Sequence, residues 1–149
     1  MILYLDTSSL VKLYAEESGS PEIRMLVESA FTVATSRAAY VEARAAFSRK
    51  RRENGLEDII YRQMVDDLNQ DWGYYFIIEI SGPLVTLAGG LTEKYPLRAY
   101  DAIHLASAIR LKDEGNVEVT FSSFDQRLLQ AAKVEKLIIP AFHNSEGIP

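Results

Sequence analysis

Short apolar segments alternate with helix-forming segments along the chain, and this alternation constrains the fold more than any other feature of the sequence. Strands are predicted over residues 2–5, 31–35, 75–80, 117–121 and 137–139. The intervening segments carry capping residues, first-turn prolines and apolar residues spaced by three or four, which favour helices. Strands that alternate with helices pair in parallel through helical crossovers. The sequence therefore predicts an α/β fold with a central parallel sheet.

The predicted helices have recognisable starts and ends. A short helix follows Asp6 and ends near Gly19, and Ser20 begins the next one, because a capping serine followed by a proline and an acid suits a first turn. Further helices are predicted over residues 36–53, 56–72, 83–94, 98–113 and 124–133. We expect a single domain over residues 1–142 and a loose C-terminal tail over residues 143–149.

The composition is that of a globular protein without disulfides. Hydrophobic residues make up 48% and charged residues 25% of the 149 residues, and there is no cysteine. This balance excludes a mainly disordered chain and a coiled coil, and the absence of cysteine excludes a disulfide scaffold. No apolar run approaches the roughly 20 residues of a membrane span, and the first residues lack the basic segment of a signal peptide. We expect a cytoplasmic protein without a membrane partner.

Charge is unevenly distributed along the chain. The 16 lysines and arginines against 21 acids give a formal net charge of −5, the wrong sign for bulk attraction to nucleic acid. Residues 37–52, however, hold six basic residues against Glu42 alone, and residues 53–79 hold seven acids against Arg62. A local basic surface can exist on such a protein. A solvated helix end explains residues 49–52 equally well.

Four acidic residues fall just past predicted strands or near helix starts. Asp6 directly follows the first strand, and Asp125 comes shortly after the strand that ends at Phe121. Glu42 lies two turns into the helix after the second strand, and Asp101 lies in the first turn of the helix from residue 98. Ligands of open α/β sheets bind just beyond the carboxyl ends of the strands. We therefore expect these acids to face one rim of the sheet.

Three of the four acids also have an explanation that needs no ligand. Asp6 and Asp125 suit helix caps, which stabilise a helix by about 1 kcal/mol, and Asp101 would complement a helix N-terminus. Glu42 is harder to explain in this way, because only it and Arg44 interrupt the small or apolar residues of segment 38–47. A buried ionised carboxylate needs a cation, a proton or water nearby.

A hard divalent cation would account for all four acids. Carboxylate oxygens and water are the ligands of Mg²⁺ or Mn²⁺, and the absence of cysteine excludes a thiolate zinc site. Such a cation can activate water, neutralise phosphate charge and stabilise a leaving oxygen, which are the requirements of phosphodiester hydrolysis. It would also allow an acidic pocket to bind a polyanion.

Three segments and one single residue carry these acids: LDTSSLVKLY over residues 5–14, YDAIHLASA over residues 100–108, SSFDQRL over residues 122–128, and Glu42. Together they resemble the PIN-domain nucleases, and more narrowly the VapC-type toxins of bacterial and archaeal toxin–antitoxin pairs. The resemblance spans residues 2–139, with the motifs in the order and spacing of the family. A short Asp-Thr motif alone would be weak evidence, whereas the four-part set is specific.

The resemblance implies a three-layer α/β/α sandwich and a Mg²⁺- or Mn²⁺-dependent endoribonuclease. By position, Asp6 and Asp101 would bind the metal directly. Glu42 and Asp125 would complete the catalytic site, and Ser123 matches a hydroxyl residue that would orient a carboxylate or water.

Three further residues lie close to these acids in the sequence. Thr7 and Ser8 are predicted to act beside Asp6 in the same way as Ser123. For His104, one helical turn after Asp101, a role in packing or in support of the site is favoured over a role as a base, because the family chemistry needs no histidine.

The resemblance also implies partners. These are an RNA substrate, a small antitoxin that blocks the cleft, and a second copy of the chain in a homodimer. Candidate protein contacts are the helices over residues 9–14 and 21–30 and the basic helix ending at Arg52. The predicted contacts to the RNA backbone are Arg37, Arg44, Arg49 and Arg51, because arginines position phosphates without reading sequence.

Other interpretations agree less well with the sequence. A phosphatase of the haloacid dehalogenase type needs a second aspartate two residues after the first, where this chain has Ser8. A phosphoacceptor receiver domain needs paired acids near its start, and Asp6 has no acidic neighbour. Two alternatives stay open: a PIN-like module that binds RNA or protein without cutting, and an rRNA-processing PIN nuclease without an antitoxin.

Overall fold

Strands and helices alternate through residues 1–145, the part of the chain that the computed structural model describes. The strands are β1 (Ile2–Leu5), β2 (Thr32–Ser36), β3 (Phe76–Ile78) and β4 (Val119–Ser122). The helices are α1 (Thr7–Val11), α2 (Ser20–Ser29), α3 (Ala38–Glu53), α4 (Asp58–Trp72), α5 (Gly82–Lys94), α6 (Ala99–Gly115), α7 (Gln126–Val134) and α8 (Ala141–Ser145). The predicted α/β class is confirmed.

The four strands form one parallel sheet in the order β3-β2-β1-β4. β1 is an inner strand: Leu3 aligns with Val33 of β2 on one side and with Thr120 of β4 on the other. An apolar strand such as β1 suits this position, because helices cover both faces of a parallel sheet. The carboxyl ends of β1 and β4 lie side by side, so the turns that follow them meet at one edge.

Helices pack on both faces of the sheet and make three layers. Leu3 and Leu5 of β1 join one core with α1, α3 and α4, in which Phe47 and Leu68 have no exposed surface. Tyr4 points to the opposite face and packs in the second core, formed with α5, α6 and α7. This alternation follows from the two-residue period of a strand. The predicted three-layer sandwich is confirmed.

The first helix is shorter than expected. The sequence predicts a helix that continues through Tyr14 to near Gly19, whereas α1 ends at Val11 and turns follow it. Gly19 has a φ of 95°, and a Cβ atom at this position would lie 2.7 Å from the ring of Phe124. The chain therefore turns here because Gly19 permits both the left-handed conformation and the close approach of Phe124.

The predicted last strand over residues 137–139 is reduced to a single bridge between Thr120 and Ile138. Ile138 makes two backbone hydrogen bonds to β4: its N–H donates to Val119 at 2.9 Å, and its carbonyl accepts from Phe121 at 2.7 Å. Pro140, two residues after Ile138, has no N–H with which to extend the ladder. The apolar pattern was correct about burial beside β4 but wrong about strand length.

The first residues of the predicted tail belong to a helix. His143 lies within α8, is 2% exposed, and has its Nε2 atom 2.9 Å from the hydroxyl of Ser122. Burial lowers the pKa of His143 to about 4. Residues 146–149, the remainder of the predicted tail, lie outside the described residues. Within residues 1–145, no helix combines the length and the apolar character that crossing a membrane requires.

Two phenylalanines offer a matched test of the core. Phe47 is fully buried, whereas Phe31 is 90% exposed. We expect Phe47→Ala to lower the free energy of unfolding by about 3–5 kcal/mol, because it removes a large side chain from a closed core. Phe31→Ala should change it by no more than about 0.5 kcal/mol. Urea unfolding measures both values, and equal losses would contradict the assignment of the core.

Candidate active site

Two of the four predicted acids lie in the turns at the carboxyl edge of the sheet. Asp6 directly follows β1 and caps α1, and Asp125 follows β4 and caps α7. The other two lie on helices: Asp101 in the first turn of α6, and Glu42 in the second turn of α3. The strand order explains why the first pair meets, because β1 and β4 are neighbours.

Asp6 is buried, with only 3% of its surface exposed. Its Oδ1 accepts hydrogen bonds from the Ser8 hydroxyl at 2.7 Å and from the Ser9 N–H at 2.9 Å, and its Oδ2 accepts one from the Ser123 hydroxyl at 2.6 Å. Burial raises the pKa of Asp6, although His104 and these donors partly offset the rise. A carboxylate offers about four lone-pair sites. One acceptor position on Oδ2 therefore remains for a ligand.

Serine hydroxyls connect the two acidic turns. Ser123 donates to Asp6 and accepts from the N–H of Asp125 at 3.0 Å, and Ser8 accepts from the N–H of Phe124 at 3.0 Å. The N–H of Asp6 in turn donates to the carbonyl of Ser122 at 3.1 Å. Ser123 is thus in contact with the carboxylate that the sequence predicts it to orient.

Asp101 and Asp125 line an open groove of about 510 Å³, together with Arg98 and Arg127, here called the α6–α7 groove. Burial raises the pKa of Asp101, and the charges of Asp125 and Asp6 raise it further. Arg98, whose Nε lies 3.7 Å from Asp101 Oδ2, partly offsets this rise. Neighbouring carboxylates raise a pKa only when they are close enough to repel. Three of the four acids therefore share one electrostatic site.

Glu42 is held in a different way. Its Oε1 accepts from the Thr7 hydroxyl at 2.7 Å and lies 2.9 Å from Nε2 of His104. Burial raises the pKa of Glu42, but the hydrogen bonds from His104 and Thr7 and the attraction of His104 outweigh it, so the pKa is lowered overall. Thr7, expected beside Asp6, therefore serves Glu42 instead. The same donors keep Glu42 ionised while Asp6 and Asp101 are shifted toward their neutral forms.

The acids fit a hard divalent cation by their chemistry. The ligands available are carboxylate and hydroxyl oxygens, which Mg²⁺ and Mn²⁺ prefer. Across residues 1–145, no group of three or more Asp, Glu, His or Cys side chains is arranged to hold a metal ion. Magnesium usually takes only one or two protein carboxylates and keeps several waters. The open position on Asp6 and the carboxylate of Asp101 meet that requirement in number.

Three of the four predicted RNA-contact arginines interact with neighbouring side chains. The partners are Glu79 for Arg37, the Tyr40 hydroxyl for Arg44, and Asp58 for Arg51. The shortest N···O distances in these pairs are 2.6, 2.8 and 2.9 Å respectively. These pairs do not bring the three arginines to the acids.

Arg49 lies differently from the other three arginines. It lines a groove of about 330 Å³, here called the α1–α3 groove, that also includes Thr7 and Ser8. Lys12 and Lys50 line the same groove, and both form ion pairs with Glu17, at 3.0 and 2.6 Å. The α1–α3 groove thus joins basic side chains to the hydroxyls that hold the acids.

Sequence reasoning missed several of these residues. Tyr4 carries a fully buried hydroxyl 2.8 Å from Nδ1 of His104, and its signal was a tyrosine in an otherwise aliphatic strand. Arg98 and Arg127 line the α6–α7 groove, and their signal was their position within three residues of Asp101 and Asp125. Lys12 and Lys50 gave no signal apart from their charge.

Comparison with known proteins establishes the class. The PIN domain family matches the chain over residues 3–134. The chain therefore belongs to the PIN-domain family. Ribonuclease VapC45 of Mycobacterium tuberculosis (strain CDC 1551 / Oshkosh) is 32% identical to it over 127 residues, which cover 85% of this chain and 86% of the relative. The resemblance to VapC-type proteins is confirmed.

Solved structures share the fold at lower identity. VapC20 of Mycobacterium tuberculosis, described as a sarcin-ricin loop cleaving toxin, aligns with a TM-score of 0.62 at 16% identity, over 87% of this chain and 94% of its own. A toxin–antitoxin complex from Klebsiella pneumoniae aligns with a TM-score of 0.57 at 22% identity, over 79% of this chain and 83% of the matched one. At these identities the matches support the fold alone.

The raised pKa of Asp101 predicts a pH-dependent effect on stability. A folded-state pKa above the unfolded value means that ionisation of Asp101 destabilises the folded protein as the pH rises through the folded pKa. In EDTA at neutral pH, we expect Asp101→Asn to melt at a higher temperature than the wild type. The difference in melting temperature should vanish below pH 3.8, the ordinary pKa of aspartate. Thermal unfolding across this pH range measures it.

Asp113→Asn is the control. Asp113 lies in the same helix as Asp101 but twelve residues further along it, and its exposed side chain pairs with Lys112. It should give no such increase. A lower melting temperature for Asp101→Asn than for the wild type at neutral pH would contradict the repulsion among these three carboxylates.

Proposed function

We propose that this protein is a Mg²⁺- or Mn²⁺-dependent endoribonuclease and the toxin of a toxin–antitoxin pair. The observation that carries the proposal is the buried Asp6 carboxylate, which Ser123 joins to the turn of Asp125, with Asp101 near enough for the charges of both acids to raise its pKa. A divalent cation would favour the ionisation of acids placed together in this way. RNA is the proposed substrate because a relative that is 32% identical is named a ribonuclease and a structural neighbour is described as a sarcin-ricin loop cleaving toxin.

Each acid has a separate role in this proposal. The bound metal would supply activation of water and neutralisation of phosphate charge. Asp6, through its open Oδ2 position, and Asp101 would hold it. Asp125 keeps its Oδ1 on the N–H groups of Arg127 and Leu128 at the start of α7, at 2.9 and 3.2 Å, which fixes its carboxylate at the rim.

Glu42 and Ser123 complete the site in this scheme. Glu42, kept ionised by Thr7 and His104, would orient water or accept a proton. Ser123, in contact with both Asp6 and Asp125, would hold their turns at a fixed separation. All five predicted catalytic residues thus have a role that their contacts support.

RNA binding is proposed along the two grooves that flank the acids. The α1–α3 groove contributes Arg49 and two lysines, and the α6–α7 groove contributes Arg98 and Arg127. Such groups bind phosphates without specifying bases. We place the main contact with the RNA backbone at Arg49 and assign Arg37, Arg44 and Arg51 to contacts outside these two grooves.

A protein partner is also proposed. The structural neighbour from Klebsiella pneumoniae is described as a toxin–antitoxin complex. On this chain, an apolar groove of about 480 Å³ lies between α2 and the bridge at Ile138, and Met25 there is 67% exposed. We propose that the antitoxin covers this part of α2, that the toxin forms a homodimer, and that it acts in the cytoplasm.

Loss of the Asp6 carboxylate should abolish cleavage. Asp6→Asn keeps the shape of the side chain and an oxygen for Ser8 and Ser9 but removes the charge that would hold the metal. We expect RNA cleavage to fall by about 100-fold or more, because a catalytic metal is worth several kcal/mol in the transition state. The assay uses end-labelled tRNA, rRNA and mRNA fragments with Mg²⁺, with Mn²⁺ and with EDTA.

Asp113→Asn, purified identically, should cleave like the wild type. Cleavage by Asp6→Asn at the wild-type rate would overturn the role of Asp6, and cleavage in EDTA would overturn the metal dependence. A folded wild type that binds RNA but cuts none of these fragments with either metal would favour the non-cutting PIN module. Cleavage confined to rRNA, by a protein that no antitoxin inhibits, would favour the processing nuclease.

Two arginines of α3 provide a matched test of RNA binding. Arg49 lines the α1–α3 groove, whereas Arg51 pairs with Asp58 and lies over the ring of Tyr61, 4.7 Å from its centroid. In an Asp6→Asn background, Arg49→Ala should weaken binding and reduce the slope of log K against log salt by about 1. Arg51→Ala should leave the slope unchanged. Fluorescence anisotropy measures both, and equal slopes for the two variants would contradict this placement of the RNA.

A further inference from the structure

A buried hydrogen-bond chain lies behind Glu42. The Tyr4 hydroxyl is 2.8 Å from Nδ1 of His104, and Nε2 of the same ring is 2.9 Å from Glu42 Oε1 and 3.0 Å from the Thr7 hydroxyl oxygen. Tyr4 has no exposed surface and His104 is 2% exposed. Water therefore does not compete for the contact between Tyr4 and His104. The protons are shared among these four side chains and Ser107, which also hydrogen-bonds to Tyr4.

The positions of the oxygens determine which ring nitrogen carries the proton. The Thr7 hydroxyl donates to Glu42, so its oxygen can only accept from His104. An ionised carboxylate also only accepts. Both neighbours of Nε2 are thus acceptors, and Nε2 must be the donor. In the neutral ring Nδ1 is then an acceptor, which the Tyr4 hydroxyl satisfies as a donor.

We propose that Tyr4 and His104 are positioning residues of the nuclease site: Tyr4 fixes His104 in the Nε2–H tautomer, and this N–H holds the carboxylate of Glu42 in place. The kinetic part of this inference rests on the proposed nuclease function, whereas the tautomer does not. Neither residue touches the substrate in this scheme, and both act through Glu42.

The arrangement leaves one oxygen of Glu42 for chemistry. Thr7 and His104 both reach Oε1, and none of the residues 1–145 donates a hydrogen bond to Oε2. A glutamate has three side-chain torsions, so an unheld carboxylate would sample several positions. Two donors on one oxygen restrict this freedom and leave Oε2 without a donor from these residues. Precise placement of such a group is worth large factors in rate.

The Tyr4 ring and its hydroxyl have separable roles. The ring stacks on Phe121 with centroids 5.5 Å apart and meets His104 edge-on at 5.8 Å. Phenylalanine would keep both ring contacts and remove only the donor to Nδ1. Tyr4→Phe therefore isolates the hydrogen bond from the packing.

Nitrogen NMR tests the tautomer directly, because the chain has only two histidines and His143→Gln assigns the remaining ring. The spectrum is recorded on metal-free protein in alkaline buffer, so that the tautomer of the neutral ring is observed. We expect the Nε2–H form of His104 in the wild type, and a mixture with the Nδ1–H form in Tyr4→Phe. An Nδ1–H ring in the wild type would overturn the proposal, as would an unchanged ring in Tyr4→Phe.

Kinetics test the link to Glu42. His104→Gln keeps an N–H donor near the Nε2 position, whereas the shorter amide of His104→Asn reaches only the Nδ1 position. We expect His104→Asn to lower kcat by about 10–100-fold with KM unchanged, as for other groups that orient a site residue. His104→Gln should recover most of this loss. Equal losses of kcat in the two variants, at equal folded fractions by thermal melting, would show a packing role only.

The tautomer of His104 and its kinetic effect through Glu42 are tested independently of each other. If the wild type cleaves no RNA, the proposed function fails while the NMR result still decides the hydrogen-bond chain. If the wild type cleaves RNA and the tautomer is as expected, but neither His104 variant lowers kcat, the chain exists without positioning Glu42 and the inference is overturned.

Discussion

The buried carboxylate of Asp6 is the constraint on which the rest of the site depends. A carboxylate that is 3% exposed is tolerated only when donors surround it. Ser8 and Ser9 come from the turn that follows β1, but Ser123 comes from 117 residues further along the chain. The register that pairs Leu5 with Ser122 brings this third donor into place. The position of β4 beside β1 is therefore a requirement of the site as well as of the sheet.

The site separates its acids into two electrostatic groups. Asp6 and Asp101 have raised pKa values because of burial, with mutual repulsion adding to it at Asp101, whereas Glu42 has a lowered pKa because Thr7 and His104 donate to it. Groups with opposite shifts in one site suit different tasks. α6 contributes to both, because Asp101 and His104 lie one helical turn apart. α6 thus places the Asp101 carboxylate in the α6–α7 groove and the Nε2 atom of His104 against Glu42.

Local patterns in the sequence predicted much of this fold, and their failures have identifiable causes. β1 and the cap at Asp6 were predicted correctly, because an apolar run followed by capping residues has few alternatives. The strand over residues 137–139 was wrong, because an apolar run indicates burial without showing how many hydrogen bonds a neighbour can supply. The length of α1 was wrong, because residues 12–14 continue in turns whose N–H groups bond three residues back, and the spacing of apolar residues does not distinguish such turns from an α-helix.

The direction of side chains around a helix limits what sequence can reveal about a site. Arg49 and Arg51 are two positions apart on α3, so they point about 160° apart around its axis, one into the α1–α3 groove and one toward Asp58. In the sequence, both arginines belong to the same basic stretch, residues 37–52. The same limit applies to Tyr4, since a buried hydroxyl requires a partner, yet no local pattern indicates that the partner is His104, 100 residues away. Acids are therefore recognisable from their spacing, while the groups that hold them become visible only when the strands and helices are packed.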